Sequence, residues 1–332
     1  MSTPPRTPQT REAAVAIGSE PLGDGGTGKR RRLGDTVFRG AATGAGLAIL
    51  LILVLVAAFL VAQGAPALLA SPEELEARGY GQFASWVLPY AFGTLWAALL
   101  ALLMAVPVAI GIALFISHYA SRRVAQPLGY VIDLLAAVPS VVFGLWGSLT
   151  LAQSVKDLYA WLNANFGWIP FFSGQVSGTG RTILTAAVVL AVMILPIITS
   201  LCREVFLQTP RLHEEAALAL GATRWEMVKM AVLPFARPGI VAAVMLGLGR
   251  ALGETMAVAM VLSGGRNITF QVLTSDNPNT IAAVIAQNFP EAYDLKRSQL
   301  IAAGLVLFLI TLLVNMVARW IVARRSEYSG AN

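Results

Sequence analysis

The stretch GIVAAVMLGLGRALGETMAVAMVL, residues 239–262, decides the fold, because it is long and apolar enough to cross a membrane yet holds two charges. A membrane-spanning helix needs about 20 predominantly apolar residues, since about 30 Å of hydrocarbon is crossed at about 1.5 Å per residue. Arg250 and Glu254 lie in the middle of the stretch, where neither side chain easily reaches the membrane surface. The rest of the chain should therefore contain further membrane helices and a use for these two charges.

The composition of the whole chain agrees with a membrane protein. Hydrophobic residues make up 56% and charged residues 13% of the chain, and the mean hydropathy is +0.68. Six stretches are long and apolar enough to span a membrane: 41–62, 90–116, 128–152, 183–201, 239–262 and 300–322. The sequence predicts an all-α integral membrane protein with six transmembrane helices. Pro107, Pro139 and Pro196 lie near the middles of helices two, three and four and are expected to kink them.

Lysine and arginine residues are concentrated on one side of this predicted topology. Seventeen of them lie in four segments: residues 1–40, 117–127, 202–238 and 319–332. The three alternate loops hold six. Because cytoplasmic segments of membrane proteins carry the excess of basic residues, both termini are predicted to be cytoplasmic in a bacterial plasma membrane. We expect a disordered basic tail over residues 1–36, a transmembrane domain over 37–325 and a short cytoplasmic tail over 326–332.

Several kinds of site are not expected in this chain. The lone Cys202 cannot form a disulfide framework, and His118 and His213 are isolated, so no metal site is predicted. The tail segment GDGGTGKR, residues 23–30, has the glycine and lysine spacing of a nucleotide-binding loop, but Arg30 stands where Ser or Thr should reach magnesium. No cofactor is therefore expected. The KRRR run next to the first helix should contact anionic lipid and not nucleic acid.

The segment between helices four and five is predicted to begin with a short helix. Thr209 followed by Pro210 is typical of a helix start, with a capping side chain and a proline in the first turn. Gly221 is expected to end the helix in a left-handed conformation. The apolar residues at helical spacing are Leu212, Ala216, Ala217 and Leu220.

A second short helix is predicted to follow directly. Thr223 and Glu226 have the spacing of a capping box, which opens a helix. Pro234 and Pro238 are expected to end it before helix five. The loop is therefore predicted to be two helices hinged at a glycine.

This loop resembles the EAA loop of ABC importer permeases, except that Ala231 stands where that family has isoleucine. The resemblance implies a type I ABC importer permease fold. It also implies that the loop over residues 209–234 docks on a separate ATPase subunit, which would bind ATP and magnesium in place of this chain. The residues that match the motif are Glu215, Ala216, Ala217, Gly221, Leu233 and Pro234.

Three further segments resemble the PstC-type permeases of phosphate-specific ABC transporters: LLAAVPSVVFGLWG (134–147), GLGRALGETMAV (247–258) and TIAAVIAQNFPEA (280–292). The resemblance runs from about residue 36 to the end of the chain. It implies inward transport of phosphate by alternating access. It further implies three partners: a PstA-like permease, a pair of PstB-like ATPase subunits and a PstS-like phosphate-binding protein. Permeases for sulfate or molybdate are the nearest alternative.

Arg250 and Glu254 are predicted to line the transport pathway. Their spacing places both on one face of a continuous helix, where the arginine can bind a phosphate and Glu254 can hold the guanidinium in place. Charges within a membrane usually face the bundle interior or a water-filled path, because burying them in lipid is costly. The alternative is an ion pair that only fixes helix packing. Gly249 and Gly253 are predicted to allow close packing against another helix.

A self-contained secondary transporter, with this pair as a proton relay, is the rival from another functional class. It would leave the EAA-like loop without a purpose, and no internal inverted repeat is visible. A membrane scaffold or sensor is a third possibility, for which the composition of the tail offers no specific support.

Overall fold

The computed structural model describes residues 33–71 and 82–326, which are mostly helical. Within these residues the only β-type pairing is an isolated bridge between Gly265 and Pro278. Residues 1–32 of the predicted N-terminal tail lie outside the described residues. Residues 33–36, which were predicted to belong to the tail, are already part of the first helix. The helices are α1 (Leu33–Leu69), α2 (Phe83–Leu114), α3 (Arg122–Ala136), α4 (Ser140–Trp146), α5 (Lys156–Phe166), α6 (Ile183–Leu207), α7 (Arg211–Ala219), α8 (Arg224–Met227), α9 (Leu233–Gly253), α10 (Met256–Val261), α11 (Ile281–Asn288) and α12 (Asp294–Ser326).

The chain divides into two units inside α1. The first ends at Leu55 and contributes the described residues 33–55, all of them helical. The second, from Val56, contains the end of α1 and helices α2 to α12. Within the described residues, five helical segments are long and apolar enough to cross a membrane: Thr36–Leu69, Phe83–Tyr119, Ile183–Leu207, Arg224–Gly253 and Asp294–Trp320.

The predicted third span, 128–152, is not one straight helix. Helix α3 ends at Ala136, and the following helical segment, Ser140–Ser154, leaves it at an angle of 89°. Pro139 stands directly before α4 with extended backbone, and a proline also disfavours helical geometry in the residue before it. Counted as one broken span, the pair gives six crossings. A kink was expected at Pro139, and the chain has a full break there. Pro107 and Pro196 lie inside helices α2 and α6, which continue through them, and the kinks expected at these two prolines stay predictions.

The core of the second unit is built around the contact between α2 and α6. Helix α2 presents a buried alanine every four residues, which forms a narrow stripe along one face. Small side chains of this kind let two membrane helices approach closely. Larger buried side chains of α6, such as Met193 and Ile194, belong to the same apolar cluster. The alanines of the stripe are Ala97, Ala101, Ala105, Ala109 and Ala113.

A close contact between α4 and α10 holds the segment that follows α9. A Cβ atom added to Gly144 of α4 would lie 2.9 Å from Ala257 Cα and 3.0 Å from Met260 Sδ. Only glycine therefore fits at this point of α4. Since α10 begins three residues after the end of α9, this contact anchors the segment that follows the break.

Candidate transport and coupling sites

Arg250 lies on α9 and lines a cavity of about 500 Å³ between α6, α9 and α12. Within the described residues its guanidinium makes no hydrogen bond and no ion pair. Asn315 of α12 is the other polar residue of this cavity. The apolar remainder of the lining is Ile197, Ala242, Met245, Leu246 and Gly249. The cavity therefore holds an arginine whose charge nothing described in this chain neutralises.

A second cavity of about 450 Å³ adjoins the first along α9 and α12. The two share Ala242, Met245 and Asn315, and the second also reaches Arg319. We call the two cavities together the α9–α12 groove. Both basic residues are on its walls, and no acidic residue lines either cavity. The groove can therefore attract an anion.

Glu254 does not pair with Arg250, contrary to the prediction. Helix α9 ends at Gly253, and Glu254 has extended backbone, with φ −67° and ψ 125°. Its buried carboxylate accepts a hydrogen bond from the backbone N–H of Ala257, 3.1 Å away, and so caps the start of α10. The prediction assumed a continuous helix. The break turns Glu254 away from the face of Arg250, and its role in a pathway stays a prediction.

Gly249 and Gly253 face open space within this chain. No atom of the described residues lies within 4 Å of a Cβ added to either glycine. Leu246 and Met256, close to them in the sequence, are also exposed. The predicted close packing of these glycines is therefore not made inside the described chain. It stays a prediction for a helix from another chain.

The EAA-like loop forms an exposed helix, α7, which begins at Arg211. The expected cap at Thr209 is wrong: Pro210 is the capping residue, and the Thr209 hydroxyl is buried without a hydrogen-bond partner. Gly221 ends the helix as predicted, with φ +85°. None of the residues of α7 is buried, and Leu212 is 75% exposed. Leu220, just after α7, is 90% exposed. Most of the predicted apolar face is thus uncovered.

The second helix of the loop opens as predicted but does not end at the prolines. Glu226 Oε2 accepts a hydrogen bond from Thr223 N at 2.8 Å, and Thr223 Oγ1 accepts one from Glu226 N at 3.3 Å, which completes the capping box. The chain then continues through a π-helical turn, Val228–Val232, into α9. Pro234 stands at the start of α9, directly after this π-helical turn. Pro238 lies inside the helix, so ending it at either proline was wrong.

One contact that ties α7 to the bundle has no signature in the sequence. His118, in the π-helical turn Phe115–Tyr119 that follows α2, places its Nε2 atom 3.4 Å from Glu214 Oε1 of α7. Ser117 Oγ lies 2.7 Å from the other ring nitrogen. The two partners are 96 positions apart, so no local pattern could have revealed the contact. Asn315, by contrast, is an isolated amide in an apolar run, which could have marked it as a candidate.

Long apolar helices around an arginine-lined groove are the architecture of a membrane transport subunit. The family model described as binding-protein-dependent transport system inner membrane component matches residues 105–327. The chain is 45% identical to the phosphate transport system permease protein PstC 2 of Mycobacterium tuberculosis over 322 residues, 94% of this chain and 96% of that protein. It is 39% identical to PstC of Xylella fastidiosa over 244 residues, 72% of this chain and 74% of that protein. The chain therefore belongs to the PstC-type permeases of the binding-protein-dependent transport family.

A solved structure supports the same fold at low sequence identity. A chain of the MetNI methionine ABC transporter in an inward-facing conformation superposes with a TM-score of 0.50 and 16% identity, covering 72% of this chain and 97% of that one. The predicted all-α permease fold and its multi-pass membrane location are confirmed. The cytoplasmic location of the termini stays a prediction.

Proposed function

We propose that this chain is the permease subunit of an ATP-driven importer of inorganic phosphate. The observation that carries the proposal is the unpaired Arg250 in the α9–α12 groove. A guanidinium can donate two parallel hydrogen bonds to a phosphate and keeps its charge in an apolar setting. The names of the PstC relatives, given above, supply the same substrate.

Phosphate would pass along the α9–α12 groove. Arg250 and Arg319 would attract the anion from two positions, and the Asn315 amide between them can donate a further hydrogen bond. Glu254 would serve this path indirectly. By capping α10 it keeps the break after Gly253, and with it the end of α9 that carries Arg250.

A second permease would complete the pathway from the exposed side of α9. Gly249 and Gly253 lie four residues apart, which is the spacing that lets two membrane helices approach closely. Their open space, together with exposed Leu246 and Met256, supports a helix of a PstA-like subunit as the occupant. Delivery of phosphate from outside would fall to a PstS-like binding protein.

Helix α7 would couple transport to a pair of PstB-like ATPase subunits on the cytoplasmic side. Leu212 of α7 and Leu220, just after it, expose large apolar side chains that no described residue covers. A docking groove on the ATPase would bury them. The contact between His118 and Glu214 and the continuous path from α8 into α9 would carry the motion into the bundle. ATP and magnesium would be bound by the partner, and this chain would hydrolyse nothing itself.

Uptake of labelled phosphate by phosphate-starved cells that lack the gene tests the proposal. The cells are complemented with wild type, Arg250→Ala or Arg250→Lys, and membrane levels are checked by blot. Loss of a bidentate, charge-assisted contact should lower uptake roughly ten-fold or more in Arg250→Ala. Lysine keeps the charge but cannot donate two parallel hydrogen bonds. Uptake by Arg250→Lys should therefore lie between that of wild type and that of Arg250→Ala.

Arg123→Ala is the matched control, because Arg123 is an exposed arginine that lines neither cavity of the groove. Normal uptake by an assembled Arg250→Ala complex would remove Arg250 from the pathway. Gene-dependent uptake of sulfate or molybdate instead of phosphate would contradict the substrate. Uptake that survives ATP depletion at a clamped proton gradient would contradict the ATP-driven class.

A further inference from the structure

A basic cavity of about 580 Å³ lies away from the α9–α12 groove, beside the start of α7. Its walls come from α3, from the turn after α2, and from the corner between α6 and α7. Three arginines line it, one from each of three helices: Arg122 from α3, Arg203 from α6 and Arg211 from α7. Gln126 and Tyr130 add polar groups between them. Arginines that converge on one cavity from three helices repel each other unless an anion lies among them.

Arg203 lies against a glycine on the opposite helix. A Cβ added to Gly129 of α3 would collide with Arg203 Nη1 and lie 3.2 Å from its Cζ. The guanidinium therefore lies against the backbone of α3 in the space that the missing side chain of Gly129 leaves, and a larger residue there would make it shift. Its Nε atom is buried and has no hydrogen-bond partner in the described part of the chain. A donor so placed is normally satisfied by a partner, which the protein itself does not supply here.

The nearby carboxylates do not neutralise the three arginines. Asp133, which also lines the cavity, accepts a hydrogen bond from Ser200 and forms no ion pair within the described residues. Glu214 contacts His118. Arg122 and Arg123 occupy the first turn of α3, where basic side chains oppose the helix dipole and no acidic residue compensates. The cavity thus keeps a net positive charge.

We infer that this cavity is a second anion site, which binds a phosphate group between α3 and the start of α7. The ligand is free inorganic phosphate or the phosphate of an anionic phospholipid headgroup, which present the same oxygens to a guanidinium. An anion held by Arg203 and Arg211 links α3 to the helix proposed to dock on the ATPase. That consequence, and the side of the membrane on which the cavity opens, rest on the proposed function, whereas the site itself does not.

Thiol labelling of the full-length chain, with the subunits that co-purify with it, tests the site in lipid nanodiscs. The only native cysteine, Cys202, is fully buried and gives a silent background. Gln126→Cys places a reporter on the cavity wall, and Val124→Cys places one on the same helix outside it. The maleimide reaction rate is measured against inorganic phosphate concentration, in zwitterionic nanodiscs and in nanodiscs containing anionic phospholipid.

Phosphate should slow labelling of the Gln126→Cys variant and leave the Val124→Cys variant unchanged. Adding Arg203→Gln to the Gln126→Cys variant should raise the phosphate concentration that halves the labelling rate roughly ten-fold or more. Adding Arg123→Gln should leave that concentration unchanged. Gly129→Ala keeps all three arginines but displaces the guanidinium of Arg203, so it should also weaken protection. Protection in anionic nanodiscs before phosphate is added would assign the site to a lipid headgroup.

Equal labelling under all conditions would overturn the inference, as would protection that Arg203→Gln leaves intact. Co-purification of the partner subunits with each variant reports that it is folded. Arg250→Ala separates this site from the transport path, because it should lower uptake roughly ten-fold or more without changing the labelling. A failure of the uptake experiment would therefore contradict the proposed function alone.

Discussion

Replacing Gly221 isolates the backbone requirement of the turn between α7 and α8. Gly221 has φ +85°, and no atom lies within 4 Å of a Cβ added to it, so a larger side chain meets no steric clash. The cost of substitution is therefore conformational. For a residue with a Cβ, the left-handed region costs about 1–2 kcal/mol of conformational free energy. The cost is smaller for asparagine and larger for β-branched residues. A cost of about 1.4 kcal/mol lowers the ratio of the native turn to other conformations of the loop ten-fold.

The series Gly221→Asn, Gly221→Ala and Gly221→Val should lower phosphate uptake in that order, with valine at least ten-fold below wild type. Phosphate-dependent ATPase activity of the reconstituted complex should fall in parallel, because under the proposed function the turn sets the angle at which α7 would meet the ATPase. Substrate binding at Arg250 should not change.

Gly178 supplies the control for this series. It also has open space around its Cβ position, but its φ is not positive. Gly178→Ala and Gly178→Val should therefore leave uptake unchanged. Wild-type uptake by Gly221→Val at normal membrane levels would refute the reasoning. A fall for asparagine as large as that for valine would show that the side chain, and not the backbone, is what the turn rejects.

Three further substitutions test separate parts of the structure. Thr223→Ala removes the capping box of α8 and should destabilise that turn by about 1 kcal/mol, seen as faster proteolysis within the loop. Gly144→Ala should destabilise the packing of α4 on α10 by about 1–3 kcal/mol and lower the thermal unfolding temperature, whereas Gly111→Ala, with open space around it, should not. Glu254→Gln keeps an acceptor for Ala257 N and should retain most stability, while Glu254→Ala should lose about 1 kcal/mol; equal stability of the two would contradict the capping role.

Features that depend on neighbouring residues were predictable from the sequence. The capping box at Thr223 and Glu226 needs only the spacing of two side chains, and the left-handed turn at Gly221 needs only a glycine after a helix. The long spans follow from apolar length alone. The break at Pro139 follows from the chemistry of proline, although the 89° angle does not.

Features that depend on distant contacts were not predictable. Glu254 lies in a segment whose local pattern favours a continuous helix, yet α9 ends at Gly253 and the segment after the break packs against Gly144 of α4. Pro234 was expected to end a helix because the sequence does not show that a π-helical turn precedes it. The neighbours of Arg250 and Arg203 come from helices far along the chain, so neither cavity has a local signature.

The break after Gly253 changes what Arg250 can do. An isolated charge near the middle of a membrane costs about 2.5–3.5 kcal/mol on insertion scales, and a pair with Glu254 would offset much of that. The structure uses the Glu254 carboxylate to cap α10 instead, so within the described residues the arginine has no permanent counter-charge. A permanent ion pair would have to be broken each time an anion bound, which would weaken binding by the strength of the pair. An arginine left without one can exchange water for a passing phosphate and release it again, which is what a transport path requires of its binding site.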